Sequence, residues 1–332
     1  MRLKITPSIL PTPAKFNLKE ALVATMPDNQ VSIRTLETIS DFERAEVVQR
    51  HIWGMQDAAQ VIPLHVLLTA QKNGGLVAGA FNDYGEMIGV LFGFLGFTPQ
   101  GKLKHCSHIM GVLPGVRRQG VGQALKLFQR QYVLNQGLDL ITWTFDPLEG
   151  VNASLNIRKL GAITHKYYPN LYGSSMVDGL NSGLPTDRFE VEWWIASQRV
   201  RQLVDGEPCL RPGHRALLES GAALVNHTHL DTEGALHPLD SELDVMAACV
   251  LIEVPAEFQA IKAVSMDLAR AWRQHTRALF MHYFERGYTV SDFVSDRDDT
   301  RRRNFYVLTR IEGALSDGPS QTASTPPSAL RR

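Results

Sequence analysis

The stretch GVLPGVRRQGVGQAL, Gly111 to Leu125, decides how this chain is read. It joins an apolar run to an amphipathic one through two arginines and two closely spaced glycines. Before it, CSHIMGVLP (106–114) has the composition of a strand, ended by Pro114. After it, Val121, Leu125, Phe128 and Tyr132 form the stripe of a core-facing helix, with Gly137 as its stop. A strand that turns through glycines into a helix leaves unpaired amides at the helix N-terminus. The macrodipole adds about half a positive charge there, so the place suits phosphate. Gly120 and Gly122 lack a Cβ and let an anion approach the backbone. Arg117 and Arg118 add guanidinium donors. A plain turn with a surface arginine pair accounts for the same residues. The G-x-G-x-x-G pattern is not met, because no third glycine follows, and the P-loop lysine–hydroxyl pair is absent.

Working outward, Ile33 and Leu36 fit a short strand. Ser40 and Glu43 have capping-box spacing, and Phe42, Ala45, Val48 and Ile52 line one helical face. A second helix is expected over Leu64–Lys72. Two apolar runs then flank the turn Asn82-Asp83-Tyr84-Gly85 as a hairpin. Beyond Gly137, LDLITWTF (138–145) reads as a buried strand. A helix from Ala153 to Leu160 is stopped by Gly161, and strands follow near 162–168 and 189–195. The order β-α-α-β-β-β-α-β-α-β-β over 31–198 predicts a mixed α/β sheet with helices on its faces.

On these residues the sequence resembles the GNAT superfamily of acyl-CoA-dependent acetyltransferases. Arg117-Arg118-Gln119-Gly120-Val121-Gly122 matches its Q/R-x-x-G-x-G/A motif, and Val112-Leu113-Pro114 matches the V-x-P close of the preceding strand. The segment NASLNIRKLGA looks like a degraded form of the family's N-x-x-A-x-x-L-Y-x-x-x-G-F, keeping Asn152, Ala153, Leu160 and Gly161. The resemblance covers about 31–198 and implies a mostly antiparallel mixed sheet flanked by helices. It implies that the amides from Arg117 through Gln119, Gly120, Val121 and Gly122 to Gln123 hold the CoA diphosphate. The backbone of Met110, Gly111 and Val112 would bind the pantetheine arm, with Asn152 helping to fix it. Acetyl-CoA or another acyl-CoA would be the co-substrate, with no metal, and the partner a small-molecule amine attacking directly.

The chain also departs from the family. The tyrosine that commonly precedes the late glycine by four is Ile157 here, and the usual phenylalanine after it is Ala162. Another group must then protonate the leaving thiolate, or it leaves unaided. Candidates for acid–base work are Asp146, at the end of the strand LITWTF, then Glu149, His108 and Asp178. Tyr167, Tyr168 and Tyr172 belong to a long polar-aromatic segment where packing competes with proton donation. Asp187 and Arg188 either bind a carboxylate or pair with each other. A non-catalytic CoA-binding or regulatory module is the alternative to an enzyme.

The second half predicts a strand at CVLIEVP, a long helix carrying Ile261, Val264, Leu268, Trp272, Leu279 and Tyr283, and two final strands. This is an appended α/β subdomain or a degenerate second GNAT-like unit. Arg301-Arg302-Arg303 falls in a hairpin loop, solvated or touching an acidic substrate or the 3′-phosphate of CoA, and His227 and His229 read as a solvated loop. The expected division is an irregular arm (1–30), an acyl-CoA unit (31–198), the subdomain (199–312) and a disordered tail (313–332). Lysine plus arginine equals aspartate plus glutamate at 34 each, which disfavours nucleic acid. No apolar run is long enough for a membrane span, and prolines break the N-terminal stretch before any signal-peptide core. Three scattered cysteines fit a reducing, cytoplasmic setting. Homodimerisation is left open.

Overall fold

The computed structural model describes residues 24–26, 31–55, 60–173, 183–206, 210–298 and 301–310. From β2 onward the first half adopts the expected order: β1 (Ala24–Met26), β2 (Val31–Thr35), α1 (Ile39–Trp53), α2 (Leu64–Lys72), β3 (Leu76–Phe81), β4 (Met87–Phe97) and β5 (Leu103–Val112). Then come α3 (Val121–Asn135), β6 (Leu140–Phe145), α4 (Gly150–Ala153) running into a π-helical turn (Ser154–Lys159), β7 (Ile163–Tyr168) and β8 (Arg188–Trp194). The capping box of α1 lies two residues earlier than Ser40 and Glu43. Thr38 caps and Asp41 answers it. Arg34 decides this frame, gripping both Asp41 oxygens at 2.9 Å while the amides of Glu37 and Thr38 donate to the same carboxylate. The Arg34 guanidinium holds the Asp41 carboxyl well below its usual range.

The second half contains α5 (Gln198–Val204), α6 (His214–Glu219), β9 (Ala223–Leu224), β10 (Asn226–Leu230), β11 (Leu236–Ser241) and β12 (Cys249–Val254). It ends with α7 (Phe258–Val264), α8 (Met266–Glu285), β13 (Tyr288–Arg297) and β14 (Arg302–Arg310). The expected single long helix is two. Ser265, in an extended conformation, ends α7 and caps α8 by accepting from the Leu268 amide. The break turns Val264 out of the core, leaving it 77% exposed. Within the Arg301–Arg303 cluster Arg302 stays exposed, donating to Ser295 Oγ at 3.1 Å, while its two neighbours are engaged. Arg301 and Arg303 both close on Glu253, itself 1% exposed, at 2.8 and 2.6 Å.

Twelve strands form one sheet in the order β1-β2-β3-β4-β5-β6-β8-β7-β13-β14-β12-β9. The two halves meet where β7 pairs antiparallel with β13. Outward from that seam the order repeats. On one side β7, β8 and β6 are antiparallel and β6 is parallel to β5; on the other β13, β14 and β12 are antiparallel and β12 is parallel to β9. The second half therefore extends the first sheet as a shortened repeat of it. One apolar core, including Leu125 and Phe128 of α3, Phe189 and Val191 of β8, and Trp272, Leu279 and Phe280 of α8, runs beneath both halves. Helices α1 and α2 cover the other face of β3 and β4 through Phe42, Ile52, Leu67, Phe81 and Phe92.

Candidate active site

Strands β5 and β6 pair only at His105↔Ile141 and Cys106↔Thr142. Further along, β5 stays on β4 as far as Val112 and β6 stays on β8 as far as Phe145, so the two part company. The N-terminus of α3 stands over the gap. Gly120 is its N-cap, with φ of 87°, and no side chain caps it. The Ala124 amide is the first to bond back, to Gly120 O at 3.0 Å. The amides of Val121, Gly122 and Gln123 thus have no intrahelical acceptor, and no acidic residue occupies the first turn. Residues 117–120 are exposed. A Cβ on Gly122 would lie 3.7 Å from Met110 Cε and 3.9 Å from Val112 Cγ2 and Leu155 Cδ2, so strand end, helix start and π-helical turn converge there.

The two arginines differ. Arg117 donates from Nε to Val112 O (3.2 Å) and from Nη2 to Ile52 O (3.1 Å), tying the loop to the end of α1. Arg118, exposed and left-handed at φ 66°, makes no side-chain hydrogen bond among the described residues. Gln119 donates weakly to Gly115 O at 3.4 Å. Gly111 faces the other way, where a Cβ would strike Ile52 and Trp53. Asn152 is exposed on α4.

The two acidic candidates both have partners in the second half of the chain. Asp146 is 8% exposed, and both its oxygens are taken by Arg273 of α8, Nη1 at 2.7 Å and Nη2 at 2.5 Å, while Oδ1 also accepts from the Leu148 amide. With two guanidinium donors and one amide on it, Asp146 ties the end of β6 to α8 and so anchors the two halves to each other. Burial works against the charge on Arg273, but the Asp146 carboxylate outweighs it and the pKa is raised. Glu149 hydrogen-bonds Gln259 of α7; burial, with Asp146 nearby, raises its pKa. Ile157 is fully buried, so no proton donor replaces it at that position. Asp178 lies outside the described residues.

Asp187 and Arg188 do not pair side chain to side chain. Asp187, fully buried, accepts from Tyr167 Oη (2.6 Å), the Asn170 amide (3.0 Å) and Arg277 of α8 (2.7 and 2.8 Å). Arg188 reaches Asp187 O at 2.9 Å and lies 3.7 Å from Asp146. Tyr172 Oη sits 3.0 Å from Thr144 Oγ1, and Arg188 lies over its ring. By strand alternation Thr144, Glu190 and Tyr168 face away from α3, onto the opposite face of the sheet. His108, at a bulge in β5 and exposed, lies 5.9 Å from Phe92 and Phe94 on that side. Partial burial lowers its pKa and keeps it neutral near pH 7.

Sequence reasoning missed a buried polar cluster at the root of the gap. Lys126, 2% exposed, donates to Ser107 Oγ at 2.8 Å and to Gln129 Oε1 at 3.2 Å, and its Nζ stands 3.7 Å over the Trp143 ring. It has no carboxylate partner among the described residues, and burial lowers its pKa well below the usual value. Beside it both ring nitrogens of His105 and Nε2 of Gln129 are buried without partners. Each such orphan costs about 1–3 kcal/mol. The sequence signal was Lys126 and Gln129 inside the apolar stripe Leu125–Phe128–Tyr132.

Burial, helped by the charge on Lys126, lowers the His105 pKa to about 3. The unfolded value is about 6.5, so below that pH the unfolded chain binds the extra proton. Stability is then lost as pH falls, at about 1.4 kcal/mol per pH unit until the folded value is reached. His105→Leu should remove that slope between about pH 6 and 5; urea titrations that keep the same slope in both proteins would rule His105 out as its source.

The second parallel pair is closed. Past Leu224↔Leu251, the Asn226 side chain bonds the backbone of Glu253 on both sides, Oδ1 accepting at 2.8 Å and Nδ2 donating at 2.9 Å. Between β9 and β12 stands the β10–β11 hairpin in place of a glycine turn and helix. His227 and His229 belong to β10 of that hairpin and not to a loop. Among the described residues no cluster of metal-ligating side chains occurs, and no helix is long and apolar enough to cross a membrane.

No family model matches the sequence. Nor does any curated protein. Solved structures are similar over part of the chain. The ribosomal-protein-S18-alanine N-acetyltransferase from Escherichia coli is 17% identical over 50% of this chain and 95% of its own, with a TM-score of 0.39. A GNAT-family acetyltransferase from Streptococcus pneumoniae is 14% identical over 49% and 98%, at 0.38. A GNAT-family N-acetyltransferase from Escherichia coli in complex with CoA is 18% identical over 37% and 67%, at 0.31. The similarity covers about half of this chain at most, and the chain's own architecture is a mixed, mostly antiparallel sheet flanked by helices.

Proposed function

We propose that this protein is an acyl-CoA-dependent N-acyltransferase that moves acetyl, or another short acyl group, to an amine of a small molecule. One observation carries the reading: an exposed helix N-terminus with bare amides faces two parallel strands that have come apart. The diphosphate takes the amides from Arg118 to Gln123 and the Arg118 guanidinium. The pantetheine arm lies along Met110–Val112 with Asn152 at its flank, and Arg117 braces the loop. The amine comes from the opposite sheet face, where His108 is the neutral base and Tyr168 and Tyr172 line the acceptor's path. We place this unit at 31–198 and its degenerate partner at 199–312, in a reducing compartment where Cys106 and Cys249 stay free thiols.

A second reading, a CoA-binding module without catalysis, is favoured by the neutralised Asp146 and the buried Ile157. Calorimetry with CoA tests both readings at their common root, and thiol release from acetyl-CoA with a panel of amines separates them. Arg118→Ala should weaken CoA binding roughly 10- to 100-fold, the loss of one charge-assisted hydrogen bond. Unchanged affinity would place the diphosphate elsewhere.

A further inference from the structure

A lysine sealed from water with no counter-ion is a costly arrangement, and this one does not support the fold electrostatically. Lys126 points into the place where β5 and β6 separate, and its closest polar neighbour is a hydroxyl, Ser107 Oγ at 2.8 Å. Ser107 stands on β5 immediately before the His108 bulge and three residues before Met110. Trp143, the first β6 residue past the last paired one, roofs the amine. The other contact, Gln129 Oε1, accepts from Nζ and holds it in place. A serine hydroxyl and a buried lysine amine without a carboxylate partner among the described residues, at hydrogen-bond distance beneath the Trp143 ring, are the elements of a nucleophile with its own base.

We propose that Ser107 and Lys126 form a covalent acyl-transfer dyad, so that the acyl group passes through an ester on Ser107 before it reaches the amine. This rests on the acyl-CoA reading above. In the first step Lys126 Nζ takes the Ser107 proton, and Oγ forms a bond to the thioester carbonyl carbon. The carbon–sulfur bond breaks with its electron pair on sulfur, and the Lys126 ammonium returns the proton to give free CoA thiol. In the second step the amine nitrogen bonds the ester carbon and the carbon–Oγ bond breaks. The amine's proton goes to Oγ through Lys126. The same ammonium supplies the proton that Ile157 cannot give. Burial keeps Lys126 neutral more readily than an exposed lysine, which its role as base requires.

The test uses the full-length protein, acetyl-CoA without amine, rapid acid quench and peptide mass spectrometry, beside CoA calorimetry. The expected result is a thiol burst approaching one per chain and one acetyl group on the peptide containing Ser107, with parallel-line (ping-pong) initial-rate plots. Ser107→Ala should abolish adduct and burst. Lys126→Met should slow acyl transfer by at least about 100-fold while binding CoA as before. CoA binding and amine acylation with no adduct, intersecting rate plots and a fully active Ser107→Ala protein would overturn the dyad alone. Absence of any CoA binding would instead remove the acyl-CoA reading beneath it.

Discussion

Arg273→Met should lower the unfolding free energy by about 3–5 kcal/mol, read as a shift of the denaturant midpoint at unchanged slope. The size follows from what is left behind. Arg273 is 1% exposed and gives two nearly parallel N–H bonds to Asp146, itself 8% exposed. Without the guanidinium that carboxylate stays buried between β6 and α8, with Arg188 at 3.7 Å as its nearest remaining cation. An ion pair in such a place adds little over a well-packed apolar pair, yet breaking it from one side leaves a buried charge with only the Leu148 amide and the more distant Arg188 to meet it. The double variant Arg273→Met, Asp146→Leu should therefore recover most of the loss. The same reasoning locates the damage at the joint of the two halves, since Arg273 belongs to α8 and Asp146 to the end of β6. A change below about 1 kcal/mol would be that of a solvent-exposed pair and would deny the joint its role.

What could be read in advance follows from the range of the forces involved. Apolar periodicity and turn residues are local, so α2, the β3–β4 hairpin, α3 and the final pair of strands stood in the sequence within a residue or two. The glycine loop was legible for the same reason, because backbone freedom at Gly120 and the stripe starting at Val121 are properties of consecutive residues. The shift of the α1 cap from Ser40 to Thr38 was not, since Arg34 on the preceding strand selects Asp41. Nor was the fate of Asp146, Asp187 and Glu149, whose partners Arg273, Arg277 and Gln259 lie 127, 90 and 110 residues away. Charged residues pair through space, and a single sequence carries no record of that pairing. The repeat of the sheet order about the β7–β13 seam was likewise invisible, because its second copy lacks the glycine turn and seals its parallel strands with Asn226.

Gly122→Asp should separate the fold from the ligand. Its φ is not left-handed, and a Cβ there meets Met110, Val112 and Leu155 only at ordinary contact distances. The first turn of α3 holds no acidic residue, so a carboxylate there gains from the helix dipole by about 0.3–1 kcal/mol. Losing a helical glycine adds roughly 0.5–1 kcal/mol more. The variant should thus melt at the same temperature or higher. Its carboxylate would sit among the amides of Val121, Gly122 and Gln123 and occupy them as an internal anion. A diphosphate would then lose at least two charge-assisted bonds of about 1.5–3 kcal/mol each and meet a like charge. CoA affinity should fall on the order of 100- to 10,000-fold, with Gly122→Ala, which brings bulk without charge, close to the parent protein. The signs are opposed for one substitution, which an accidental turn at the surface has no reason to produce. Equal CoA binding by the aspartate and alanine variants would leave the helix start as a plain turn, and the acyl-transfer reading would fall with it.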